Sequence, residues 1–187
     1  MLIENLEAFD FDGTLFQTPE PEYGKRYWSE YYNKEYPYLG WWGRSESLDL
    51  NVFDIKPIQS VLNQLKDAIN KPNTYVIILT SRIERLRPYV QKILDVNNIN
   101  VDYLDMKNND LDKGNRILKY INKYPNLKTI SVYDDRDVDI ISYKNIKKEI
   151  SNNILFNIYK IIDENIILVE SKYNLLNIIN EEIIKLK

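Results

Sequence analysis

The chain contains no cysteine and no histidine. The first absence excludes disulfides and thiol catalysis. The second excludes a Ser-His-Asp triad, zinc held by imidazole, and histidine phosphotransfer. Catalysis, if present, must run on carboxylates, lysine, hydroxyls and metal. No apolar run approaches the ~18 residues of a membrane span, and the acidic N-terminus lacks a signal-peptide pattern. A soluble, cytoplasmic protein without membrane contact is therefore expected. A net charge of −3 gives no global basic signature, so nucleic-acid binding would need a local cationic patch.

What is present is ordinary for a globular protein: 187 residues, 44% hydrophobic and 28% charged. That length predicts one domain, 1–187, with a small cap-like insert over 16–56. Abundant Ile, Asn, Lys and Tyr match an AT-rich coding bias, so the 15 tyrosines say little about base stacking.

The stretch Leu6-Glu7-Ala8-Phe9-Asp10-Phe11-Asp12-Gly13-Thr14-Leu15-Phe16 organises the rest. An apolar run leads into carboxylates at i and i+2, which point to one side of a strand. Gly13 lets the backbone turn just beyond them. Two acids, a turn and the Thr14 hydroxyl form a seat for a divalent cation and a phosphate.

The aromatic-rich insert follows, with a helix expected over 24–35. A second helix is expected to hold Pro57 in its first turn and to bury Ile58, Val61, Leu62, Leu65 and Ile69. Residues 75–80 read as a buried strand, Pro88 opens a helix to about Val96, and 99–104 make a short strand. Asp112 caps a helix over 113–123, and the strand 129–133 ends at Asp134-Asp135. This βαβαβαβ order predicts an α/β fold with a three-layer parallel sheet and right-handed crossovers. Beyond it come a helix over 138–150, strands over 153–162 and 166–170, and an amphipathic helix over 173–186.

Asp10/Asp12, Thr80, Lys113 and Asp134/Asp135 all fall at predicted strand ends or helix starts, where open α/β sheets place their sites. This set resembles the haloacid dehalogenase (HAD) superfamily, with its Rossmann-like sheet and its DxDGT motif, strand-ending Thr or Ser, lysine and acidic pair. Phe9-Asp10-Phe11-Asp12-Gly13-Thr14-Leu15, Ile78-Leu79-Thr80-Ser81-Arg82, Lys113 and Asp134-Asp135 match in order. Phosphoryl transfer needs an in-line nucleophile, neutralised equatorial oxygens and a protonated leaving group. In that scheme Asp10 attacks phosphorus and Asp12 is the acid and base. Thr80 and Lys113 bind phosphoryl oxygens, with Lys107 as a rival for the lysine. Mg²⁺ would sit among Asp10, Asp12, Asp134 and Asp135, with Asp12 contributing its backbone carbonyl by resemblance. Asp135 is favoured as direct ligand, Asp134 as its assistant and Asp139 third.

The insert sharpens the resemblance. Phe16-x-Thr18-Pro19-x-Pro21, Trp28, Gly40-Trp41-Trp42, Leu79-Thr80-x-Arg82 and Asp134-Asp135-Arg136 look like the HAD domain of the "Swiss Army Knife" RNA-repair proteins. Members show Glu-Asp-Arg then a histidine where this chain has Asp134-Asp135-Arg136 and Asp139, and glycine where it has Ser81. The resemblance implies a Mg²⁺-dependent phosphomonoesterase acting on a polynucleotide, RNA, terminal phosphate. A phosphatase of nucleotides or sugar phosphates and a non-catalytic binding module are the alternatives. Thr14, Ser81, Arg82, Trp41 and Trp42 are candidate substrate contacts. For the tryptophans, packing over the sheet is the competing reading. Arg82, Arg85, Arg87 and Lys92 form either a cationic rim or a solvated helix face.

Overall fold

The computed structural model describes residues 2–108, 110–151 and 153–172. Its centre is β1 (Asn5–Phe9), which lies between β2 (Thr74–Ile83) and β4 (Thr129–Asp134) and runs parallel to both. Ala8 is flanked by Ile77 on one side and Val132 on the other. Beyond β2 lies β3 (Tyr103–Lys107); beyond β4 lie β5 (Leu155–Ile162) and β6 (Asn165–Lys172), giving the order β3-β2-β1-β4-β5-β6. The chain leaves β1 toward one edge and later crosses to the other, so a topological switch point forms at the carboxyl end of β1.

Strand alternation divides the core between two faces. On one, Phe9, Val76 and Ile78 pack with Val61 and Leu65 of α2 (Gln59–Asn70) and with Val90 and Ile93 of α3 (Arg87–Val96). On the other, Leu6, Ala8, Ile77 and Val132 pack with Ile117 of α4 (Lys113–Lys123) and with Ile140 and Tyr143 of α5 (Asp137–Ile146). Buried on both sides, the inner strands read as continuous apolar runs. The insert carries α1 (Pro21–Tyr32) and a 3₁₀ turn at Ser45–Leu48, and its Trp28, Trp41, Leu48 and Phe53 join the first core.

The α/β three-layer sheet is as expected, except that β6 pairs antiparallel with β5. The hairpin turns through Asp163 and Glu164, both at positive φ, a pairing typical of a two-residue type I′ turn. Helix α1 begins three residues before the expected 24, because Pro21 suits a first helical turn. Pro57 precedes α2 instead of lying in it: residues 56–58 bridge back to 15–17, and the Ile58 N–H donates to the Leu15 carbonyl (2.9 Å). Ile69 is exposed, and Ala68 takes the inward position. β3 starts at Tyr103, not 99, because the Asp102 carboxylate takes the Val76 N–H (2.8 Å) ahead of the ladder. The helix expected over 173–186 lies outside the described residues.

Candidate active site

Past Phe9, β1 opens into a tight turn. The Gly13 N–H donates to the Phe16 carbonyl and the Phe16 N–H to that of Phe11, both at 2.9 Å. Gly13 has φ +69°, a region that side chains rarely adopt, and a Cβ there would lie 2.5 Å from an Asp135 carboxyl oxygen. The turn therefore presses the β1 end against the β4 end. Thr14, fully buried, donates its hydroxyl to Asp135 Oδ1 (3.2 Å).

The centre of the site is a buried ion cluster. Lys113, the first residue of α4, donates Nζ to Asp10 Oδ1 (2.6 Å) and Asp134 Oδ2 (2.7 Å). Burial favours its neutral form, but Asp10, Asp134 and Asp139 outweigh it and raise Lys113 above the ordinary lysine value. Asp134 also accepts from the Tyr143 hydroxyl and the Arg136 N–H, each at 3.1 Å. Burial pushes Asp10 well up, with Asp134 and Asp12 adding to it against Lys113. Burial and then Asp134 push Asp135 to about 6. Asp139 Oδ2 is buried with no hydrogen-bond partner among the described residues; Lys113 Nζ lies 3.6 Å away and Arg136 Nε 3.9 Å.

Asp10, Asp134 and Asp135 each offer a carboxylate oxygen within 4.8 Å of the others. The donors are all carboxylate oxygens, and among the described residues one ammonium serves this crowd of acids, so the set is over-negative. That fits a hard divalent cation such as Mg²⁺. The Asp12 side chain is absent from this group and is directed to Arg82. Arg82 Nε and Nη2 form a fork on its two oxygens (2.9 and 2.7 Å), and the Thr18 hydroxyl donates to Oδ1 (2.8 Å). The remaining Arg82 nitrogen, Nη1, donates to the Trp42 carbonyl (2.7 Å) and the Ser47 hydroxyl.

A cavity of about 340 Å³ opens onto these groups, lined by Asp10, Asp12, Ser81, Arg82, Lys113 and Asp135 together with Gly13, Glu20, Trp42 and Arg136. Three expected contacts lie off its wall. Thr80 is fully buried, because β2 runs on to Ile83 through a register shift after Leu79; the Thr80 hydroxyl accepts the Arg82 N–H (3.0 Å). Thr14 holds Asp135 as described. Trp41 is 3% exposed, donates Nε1 to the Pro19 carbonyl (2.7 Å) and packs where a Cβ on Gly24 would collide with it. Lys107 ends β3, exposed, whereas Lys113 is buried. Sequence reasoning passed over Glu20, which carries no motif signal, and Arg136, which stands in the Asp-Asp-Arg triplet. It also passed over Arg116, buried beneath the site, whose Nη1 donates to the Thr80 carbonyl (2.9 Å) and whose Nη2 pairs with Asp105 (2.7 Å).

A sheet of this order, with acids, a lysine and a bulged strand converging at its carboxyl ends, is that of a HAD-type hydrolase. The chain belongs to HAD domain family 1 of the Swiss Army Knife RNA-repair proteins, whose family model matches residues 23–185. The match begins beyond Asp10 and Asp12, so their place rests on geometry. The comparison with curated proteins gave no match. Solved structures share the fold. The HAD domain of effector protein Lem4 from Legionella pneumophila is 16% identical with a TM-score of 0.51, over 85% of this chain and 86% of that one. A haloacid dehalogenase-like hydrolase from Streptococcus pneumoniae is 12% identical with a TM-score of 0.51, over 76% and 80%. A chain of the Pnkp1/Rnl/Hen1 complex is 20% identical with a TM-score of 0.50 over 76% of this chain, which spans 42% of that longer chain.

Proposed function

We propose that the protein is a Mg²⁺-dependent phosphomonoesterase that acts through a phosphoryl-Asp10 intermediate on the terminal phosphate of a polynucleotide. The observation that carries the reading is the buried Asp10–Lys113–Asp134 cluster opening onto a cavity that Asp12 also lines. Binding alone does not call for a buried nucleophile beside a second carboxylate.

Lys113 and Ser81 meet the equatorial phosphoryl oxygens, while Thr80 braces the irregular end of β2 that presents Ser81 and Arg82. An Asp10 carboxylate oxygen attacks phosphorus; the Asp10–phosphorus bond forms as the ester oxygen–phosphorus bond breaks. Asp12 gives a proton to the departing alkoxide. A water then attacks the phosphoryl-aspartate, Asp12 takes its proton, and phosphate leaves with Asp10 restored. Asp10, Asp135 and the Asp12 carbonyl would hold the Mg²⁺, with Asp134 positioning them through its bonds to Lys113, Tyr143 and Arg136. When bound, the ion supplies charge neutralisation at the phosphoryl group.

The polynucleotide end is supported by the family's RNA-repair context and by the small insert, which leaves the cavity accessible. The test is turnover of an aryl phosphate with and without Mg²⁺, followed by a panel of oligonucleotides bearing 3′-phosphate, 5′-phosphate or 2′,3′-cyclic phosphate beside mononucleotides. Metal-dependent turnover that Asp10→Asn abolishes is expected, with the best kcat/KM on an oligonucleotide. Equal rates for wild type and Asp10→Asn would remove the catalytic reading. A preference for mononucleotides would replace the polynucleotide end with a small ester.

A further inference from the structure

Trp42 differs from the two other tryptophans of the chain. Trp28 and Trp41 are 5% and 3% exposed, whereas Trp42 is 38% exposed and lines the cavity. Burial of so large a ring is ordinarily favourable, and two adjacent indoles would be expected to share one core. Trp42 is instead held at the rim by Arg82, whose guanidinium lies 5.0 Å from the ring centroid and donates to the Trp42 carbonyl. Arg82 is itself fixed by its fork on Asp12, so the indole is placed rigidly with respect to the reacting groups.

The pattern repeats along the same stretch. Tyr38, 37% exposed, has the Arg44 guanidinium 4.2 Å from its centroid, and Arg85 donates to the Gly43 carbonyl (2.7 Å). Two exposed rings, each backed by an arginine, make the surface aromatic; Arg82 is buried and paired with Asp12, so the positive charge of the surface comes from Arg44 and Arg85. A polyanion carrying flat bases complements both properties. At about 340 Å³ the cavity is also in the size range of small-ligand sites, more room than a phosphoryl group needs.

We propose that residues 38–44 form a stacking ledge for the unpaired end of a polynucleotide. With the terminal phosphate against Asp10, the base of that nucleotide lies on Trp42. The following nucleotide meets Tyr38, with Arg44 and Arg85 on its phosphodiester. The proposal rests on the phosphohydrolase reading for the position of the phosphate and adds what recognises the remainder of the substrate. Stacking accepts every base, so the ledge reads no sequence. It does require the terminal base to leave any duplex, so single-stranded ends are handled and blunt ends are not.

Binding and turnover test this separately. In the full chain carrying Asp10→Asn, with Mg²⁺, a single-stranded pentanucleotide with a terminal phosphate should quench tryptophan emission saturably. The signal should vanish in Asp10→Asn/Trp42→Phe, since Trp28 and Trp41 are buried. In the active chain, Trp42→Ala should raise KM for the oligonucleotide about ten-fold more than for glycerol phosphate. The loss should fall on KM rather than kcat, Trp42→Phe should recover most of it, and blunt duplex ends should be turned over at least about ten-fold more slowly than single-stranded ones. Equal losses on oligonucleotide and glycerol phosphate, or equal rates on blunt and single-stranded ends, overturn the ledge while leaving the hydrolase intact. Saturable, Trp42-dependent quenching in a protein that hydrolyses no ester supports the ledge and refutes the hydrolase.

Discussion

Both oxygens of Asp12 accept hydrogen bonds, from the Arg82 fork and from Thr18. In the proposed mechanism Asp12 is the acid and must donate, so protonating a leaving group would require one of its oxygens to turn out of that fork and return. A guanidinium holds such a carboxylate by two parallel bonds; an ammonium holds it by one. Arg82→Lys is therefore expected to lower kcat by roughly 10- to 100-fold, and unevenly. Alkyl esters, whose leaving oxygen needs a proton, should lose more than nitrophenyl phosphate, whose leaving oxygen does not. Rates across a leaving-group series measure this, and a uniform loss would show that Arg82 only braces the fold. At this scale the sequence was partly legible. Asp10 and Asp12 announce themselves by spacing. Lys113 and Lys107 look alike, because burial of a lysine depends on three aspartates brought from other elements. Trp41 and Trp42 are neighbours in sequence, and only Gly24 facing one and Arg82 facing the other separate their fates.

Among elements, the contact between α4 and α5 sets the position of Lys113. Gly114 packs so closely that a Cβ would come within 2.4 Å of the Ser142 backbone oxygen, and its N–H donates to the Ser142 hydroxyl (2.8 Å). Because the obstacle is backbone, it cannot swing aside. Gly114→Ala should cost about 1–3 kcal/mol of stability and, by pushing the start of α4 outward, lower activity as well. Thermal unfolding checks the first and aryl phosphate turnover the second; an unchanged Tm would mean that the helices are free to separate. The α4 boundaries are legible because Asp112 caps the helix, its carboxylate accepting the Asn115 N–H (2.8 Å). The true reach of β2 and the late start of β3 are not, because both follow from cross-strand events: the shift after Leu79 and the Asp102 bond to Val76.

Across the whole molecule, one carboxylate among the described residues lies buried in the sheet away from the site. Glu7 in β1 is 4% exposed, accepts the Tyr133 hydroxyl (3.1 Å) and has Lys71 only at 3.9 Å. Burial raises it above its ordinary 4.5, with Tyr133 and Lys71 opposing. As pH climbs from 4.5 through the raised value, the unfolded chain releases this proton before the folded one does, so the contribution of Glu7 to stability falls over that window. Glutamine keeps the acceptor for Tyr133 and has no charge to bury. The Tm of Glu7→Gln minus that of wild type should accordingly be more positive at pH 8 than at pH 5. An equal or reversed difference would mean that Glu7 is ionised at little cost. The chain as a whole also shows how far pattern goes: periodicity supplied the layers and the order of strands and helices, while antiparallel β6 depends on the two positive-φ residues of its turn.

All of these scales meet in Asp10, held on Lys113 at the switch point of the sheet. The most direct test is chemical trapping at that residue. The protein is mixed with an aryl phosphate and Mg²⁺, quenched in acid during turnover and reduced with borohydride, which converts an aspartyl phosphate to homoserine; the peptides are then read by mass spectrometry. Homoserine at position 10, dependent on substrate and on metal, is the expected result. Turnover with aspartate unchanged at position 10 would contradict the account, because water would then be attacking the ester directly.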